Sequence, residues 1–169
     1  ETELKVFNGA IAIDDRGQLS FVNDFNFEGV KRFYIVENHK RGFIRAWHGH
    51  KEEGKYVTVV GGTAVIGLVD LRGVERWDMI NSILTCPNTA NEDLDKTDKQ
   101  VQDSPTHKII VSANKPQVIW IPPGFVNGAM NLTKDTKIIY YSTKSLGESH
   151  GDDYRFKWDT WNLWNITYR

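Results

Sequence analysis

The chain has 169 residues, with 21 Lys plus Arg set against 22 Asp plus Glu. That length suits one domain able to bury its own core, and the near-neutral balance excludes an electrostatic case for nucleic acid or a membrane surface as partner, so an anionic ligand would need a local cationic cluster. The single cysteine, Cys86, cannot form an intrachain disulfide, the opening ETELKVFNGA lacks the basic start and apolar core of a signal peptide, and no apolar run approaches the ~18 residues of a spanning helix; a reducing cytoplasm is the expected setting.

Short β-branched and aromatic runs bounded by Gly, Pro, Asn and Asp predict an all-β sandwich or barrel with few short helices. In order they are RFYIVEN (32–38), GFIRAWHGH (42–50), KYVTVVGGTAVIGLVDL (55–71), KIIVSA (108–113), QVIWIP (117–122) and TKIIYYST (136–143). Gly61-Gly62 splits the third run into a hairpin, because paired glycines supply the positive φ of a tight turn. Residues 73–103, with the polar stretch TCPNTANEDLDKTDKQVQD, show no alternation and read as a loop insertion within one domain spanning 1–169. The segment DDYRFKWDTWNLWNITYR carries Trp158, Trp161 and Trp164 and must pack against something.

His48 and His50 stand at i and i+2 in a strand-like run, so their side chains share one face, which in a small barrel is usually the interior. Alternation puts Arg45 on the opposite face unless a bulge intervenes, and Lys55 opens the next strand. Gly42-x5-His48-x-His50 followed by Glu53 approximates the first cupin motif, in which imidazoles and a carboxylate ligate iron or manganese. A second motif would supply another histidine after Pro122-Pro123-Gly124-Phe125-Val126, where Asn127 stands instead. Asparagine is a poor ligand for a transition metal, so metal-free chemistry is expected. A neutral histidine on a barrel wall suits proton abstraction, and a phenol opposite could return the proton. Tyr140 and Tyr141 are adjacent in an alternating strand; one faces inward, and alternation alone does not choose.

The segments Asp15-Arg16-Gly17, Glu37-Asn38-His39, Arg45-Ala46-Trp47-His48, Gly54-Lys55-Tyr56-Val57, Val69-Asp70-Leu71-Arg72, Ser104-Pro105-Thr106, Ile121-Pro122-Pro123-Gly124-Phe125 and Leu132-Thr133 through Tyr140 resemble, in order, those of dTDP-4-dehydrorhamnose 3,5-epimerases. The resemblance implies a cupin-type jelly-roll β-barrel. It also implies epimerisation at C3 and/or C5 of a nucleotide-linked 4-keto-6-deoxy sugar through an enolate, with no metal or other cofactor. His48 is then the base, Lys55 the cation that stabilises the enolate oxygen, and Tyr140 rather than Tyr141 the acid on the other face. Arg16 and Arg45 are implied to hold the nucleotide diphosphate, with Asn38, His50 and Asn127 as further substrate-binding residues. A homodimer that exchanges N-terminal strands is implied as well, placing Arg16 in the partner's site.

The chain departs from the family pattern at Arg45-Ala46-Trp47-His48, where Arg-Gly-Leu-His is usual, and at Gly124-Phe125-Val126-Asn127-Gly128, where Gly-Phe-Ala-His-Gly is. A different pocket shape is expected. The family aspartate that pairs with the base has no counterpart in the matched region, which leaves Asp70 and Asp153 as candidates. Two other readings stand beside the first. His48-Gly49-His50 also resembles the pair of related sugar 3,4-ketoisomerases, which would make His50 catalytic, and the tryptophan-rich segment would suit a non-catalytic sugar-nucleotide binding module.

Overall fold

The computed structural model describes residues 2–75, 77 and 99–169. Its strands are β1 (Lys5–Asn8), β2 (Ala10–Asp14), β3 (Gly17–Phe21), β4 (Arg32–Glu37), β5 (Ile44–Gly49), β6 (Lys55–Gly61), β7 (Thr63–Asp70), β8 (Thr106–Ser112), β9 (Gln117–Ile121), β10 (Phe125–Asn131), β11 (Lys137–Ser142) and β12 (Tyr154–Arg155), with a short helix α1 (Leu146–His150) before the last. They form two antiparallel five-stranded sheets, ordered β1-β9-β6-β11-β4 and β12-β5-β10-β7-β8, and a separate β2-β3 hairpin. This is the cupin-type jelly roll. No helix among the described residues is long and apolar enough to cross a membrane.

Alternation along the strands sorts the apolar residues into an inner core and two outer ones. Ala64, Ile66 and Leu68 of β7 face inward with Val57, Val59, Ile119 and Ile138, while Val65 and Val69 face outward. The outward face is covered by the aromatic C-terminal segment, whose Phe156, Trp161 and Trp164 pack on Trp47. Each of these buried indoles finds an acceptor: Trp47 and Trp164 donate to the Trp158 carbonyl at 3.1 and 2.9 Å, and Trp161 donates to that of Val101 at 3.0 Å. On the other sheet, Tyr56, Val118 and Trp120 are covered by Phe7, Val22 and Phe25.

Two glycines are required by geometry. Gly62 turns the β6-β7 hairpin at φ 66, a conformation that L side chains rarely adopt, whereas Gly61 stays in the strand. Gly67 lies under the indoles: a Cβ there would stand 2.6 Å from the Trp47 ring and 3.0 Å from that of Trp164. Of the stretch read as an insertion, Val74, Trp77 and Val101 are buried in the outer core beside Trp161; residues 76 and 78–98 lie outside the described residues. The sequence runs match β4 to β9 and β11 within a few residues. They miss β10, which is buried at all seven positions of FVNGAMN.

Candidate active site

One end of the barrel opens into a cleft of about 520 Å³ between β4, β5, β6, β10, β11 and the α1-β12 segment. His48 and Asn127 come from the second sheet, His50 follows the end of β5, and Lys55, Tyr34 and Tyr140 come from the first sheet. Arg45 also reaches the cleft, by way of a bulge. Opposite β10, Asn127 pairs with His48 and Ala129 with Arg45, so three steps on β5 meet two on β10. The extra residue turns Ala46 and Trp47 together to the outer core and restores Arg45 and His48 to one face.

His48 is largely buried and its Nδ1 has no hydrogen-bond partner among the described residues. Burial, joined by the positive charges of Arg155 and Lys55, lowers its pKa to about 4, with the Asp153 carboxylate pulling the other way. The ring is therefore neutral, and able to accept a proton, at physiological pH. Tyr140 stacks on Tyr34 with centroids 5.0 Å apart and rings 9° from parallel. Burial next to Tyr34 raises the Tyr140 phenol well above its ordinary range, so it is a proton donor in the same range. Tyr141, its neighbour, packs on the opposite side of the sheet against the outer cluster around Tyr56.

Lys55 is buried, with Nζ 3.2 Å from Nε2 of His50 and 5.8 Å from the centre of the Tyr34 ring. Arg32 lies over the same ring at 5.2 Å. Nδ1 of His50 lies 2.9 Å from Glu53 Oε2 and 2.5 Å from the carbonyl of Asp152. Glu53 is buried; desolvation would raise its pKa, but hydrogen bonds from His50 and Ser142 and the charge of Lys55 hold it at about 2. Asp152 accepts the backbone N–H groups of Lys51, Glu52 and Glu53 at 2.8 to 3.0 Å, which fixes the turn between β5 and β6. Both nitrogens of His50 and both oxygens of Glu53 are thus engaged by protein groups. The ligand set of a cupin metal site does not converge, and no group of three or more His, Cys, Asp or Glu among the described residues is placed to hold an ion.

The remaining sequence candidates separate. Arg45 Nε donates to Asn38 Oδ1 at 2.7 Å, and Asn38 in turn donates to Asn131 at 3.1 Å, so Asn38 braces the arginine. Asn127 is buried and donates to the His48 carbonyl at 3.2 Å. Arg16 stands exposed on the β2-β3 hairpin, bound to Asp14 and outside the cleft of its own chain. Asp70 pairs with Arg72 at 2.7 Å at the end of β7, also outside the cleft. Asp153 lines the cleft and pairs with Arg155 at 2.8 Å. Sequence reasoning missed Arg32, Tyr34, Ser149 and Arg155. Alternation in RFYIVE could have found the first two, since Arg32, Tyr34 and Val36 share a face of the strand bearing the pocket.

Fold and cleft define a cupin-type jelly-roll barrel whose open end gathers three imidazoles, a lysine, two phenols and three arginines. No protein-family model matches the sequence, nor does any curated protein. Among solved structures the chain has the fold of the dTDP-4-dehydrorhamnose 3,5-epimerase of Bacillus anthracis, solved with TDP and PPi bound: TM-score 0.67, 19% identity, 98% of this chain and 87% of that one. An rmlC epimerase of Mycobacterium tuberculosis aligns with TM-score 0.64 and 15% identity over 90% of this chain and 68% of that one. A 3,4-ketoisomerase of Helicobacter canadensis aligns with TM-score 0.60 and 18% identity over 98% and 100%.

Proposed function

We propose that the protein epimerises a nucleotide-linked 4-keto-6-deoxy sugar at C3, C5 or both, through an enolate and without a metal. The observation that carries this reading is the pairing, in one cleft, of an imidazole kept neutral by burial with a phenol kept protonated by burial, beside a buried lysine. The 4-keto group acidifies the hydrogens on the adjoining carbons. His48 removes one as general base, Lys55 meets the charge that develops on oxygen, and Tyr140 returns a proton from the opposite face, which inverts the centre. Arg45 and Arg155 supply cations for the diphosphate, in keeping with the TDP and PPi held by the structure from Bacillus anthracis. Asp153 is the carboxylate of the cleft that acts on His48, through its charge.

The proposal extends to a homodimer. Among the described residues the β2-β3 hairpin pairs with no other strand, and it exposes Ile13 and Leu19, at 77% and 64%, next to Arg16. Crossing to a second copy would cover that apolar surface and bring Arg16 to the partner's cleft. A cytoplasmic enzyme with ready access to nucleotide sugars completes the picture.

Incubation in heavy water with a dTDP-linked 4-keto-6-deoxy sugar tests the chemistry. Deuterium is expected at C3 or C5, read by NMR; tight binding with no label at either carbon would overturn the proposal in favour of a binding module. One observation favours a second reading, transposition of the keto group between C3 and C4: His50 also lies in the cleft, in contact with Lys55. Epimerisation gives an inverted 4-keto sugar and needs Tyr140, whereas transposition gives a 3-keto sugar, so product analysis of the wild type and of Tyr140→Phe separates the two.

A further inference from the structure

Glu53 is a buried carboxylate that the chemistry above leaves unused. It accepts from Ser149 Oγ at 3.0 Å, from Arg32 Nη2 at 3.2 Å and from Ser142 Oγ, and its Oε2 lies 2.9 Å from Nδ1 of His50. The carbonyl of Asp152 meets that same nitrogen at 2.5 Å. Two acceptors converge on Nδ1, so this nitrogen bears the hydrogen. In the neutral ring Nε2 is then bare, and it faces Lys55 Nζ at 3.2 Å. A lone pair there accepts from the lysine whether the head group carries three hydrogens or two, whereas an Nε2–H would turn a like dipole toward an ammonium.

We propose that Glu53 is a positioning residue which, by holding His50 in the Nδ1–H form, fixes the Lys55 head group so that it passes a proton to and from the carbonyl oxygen of the substrate. The step rests on the enolate reading given above. As His48 takes the carbon-bound proton, the C–H electron pair becomes the C=C bond and the carbonyl π pair moves to oxygen. One Lys55 N–H bond breaks and an O–H bond forms, which leaves a neutral enol and a lysine amine still donating to His50. Reprotonation of carbon reverses each change, and Lys55 recovers its proton from the oxygen. Lys55 is then a proton carrier as well as a charge.

The first test needs no substrate. In the 15N-labelled protein, with His50 assigned by its loss in His50→Gln, Nδ1 is expected to carry the hydrogen and Nε2 to resonate as a bare nitrogen; the reverse tautomer overturns the proposal. The second test compares Glu53→Gln with wild type on the 4-keto sugar. We expect kcat to fall about 10- to 100-fold through a misplaced Lys55, with KM unchanged within about twofold. A folded Glu53→Gln with wild-type kcat overturns the proposal, and Glu53→Asp, shorter by one methylene, is read the same way should Glu53→Gln not fold. Wild-type protein that labels no sugar carbon refutes the enolate reading and the Lys55 step with it, while the tautomer measurement, repeated in Glu53→Gln, reads the ordering of His50 by Glu53 apart from that by the Asp152 carbonyl, a His50 signal identical to wild type overturning it.

Discussion

His48 works as a base because the fold denies it a proton. Its buried ring, flanked by the charges of Arg155 and Lys55, has a pKa of about 4 against an ordinary value near 6.5. The acid limb of kcat/KM, which reports the free enzyme, is therefore expected near pH 4, with a flat profile from about 5 to 7. A limb near 6.5 in the deuterium-exchange rate would show that the base titrates as an ordinary imidazole and is not depressed by burial. His48→Asn should lower that rate about 10²- to 10⁴-fold, the usual worth of a positioned general base. Tyr140→Phe separates two events. Label should still enter from the His48 face, but inversion should fall by about two orders of magnitude because nothing donates from the other side; equal losses of exchange and inversion would make Tyr140 a binding group instead. The two histidines and Lys55 could be picked out from sequence because they stand on neighbouring strands in a short run. Arg155 and Ser149 could not, since more than 100 residues separate them from His48 and only folding brings them together; for the same reason the sequence offered Asp153 only beside Asp70, without choosing between them.

The strands show which physical signals survive in a single sequence. β4, β6, β7, β9 and β11 are visible because β-branched and aromatic residues fill them. β10 is as buried as any of them, yet Asn127, Gly128 and Asn131 break its apolar pattern, each for a local reason: Asn127 faces the cleft, Gly128 lies under Ala46 and Trp164, and Asn131 braces Asn38. The β5 bulge is equally hidden, because strict alternation sends Arg45 away from His48 and only the register against β10 shows that it returns. The same face explains the tryptophans. Their indoles fill the hollow over Gly67 and Gly128, so Gly67→Ala should force the Trp47 and Trp164 rings outward and cost about 1–3 kcal/mol as an overpacked core does. The urea midpoint followed by tryptophan fluorescence measures this. An unchanged midpoint would mean that the C-terminal segment is not seated on the sheet.

A net charge of −1 conceals how unevenly the molecule distributes its charges. Arg32, Arg45, Lys55 and Arg155 gather at one end of the barrel, and the same fold buries a neutral histidine and an ionised glutamate beside them. Both buried groups have folded pKa values below their unfolded ones, so in each case the unfolded chain binds the proton first and stability falls with falling pH. For His48 the loss runs from about pH 6.5 down to about 4, and for Glu53 from about 4.5 down to about 2. Each shift of roughly 2.5 pH units corresponds to at most about 3 kcal/mol. Wild-type protein is therefore expected to lose stability in two overlapping stages as it is acidified. Glu53→Gln removes the titrating carboxylate, so the loss between about pH 4.5 and 2 should shrink by up to about 3 kcal/mol while the earlier, histidine-driven stage persists. Urea midpoints collected across this range decide the matter. If Glu53→Gln and wild type lose the same stability below pH 4.5, the carboxylate is not held ionised by His50, Ser142 and Lys55, and acid sensitivity comes from the other carboxylates, such as Asp70 and Asp153, instead.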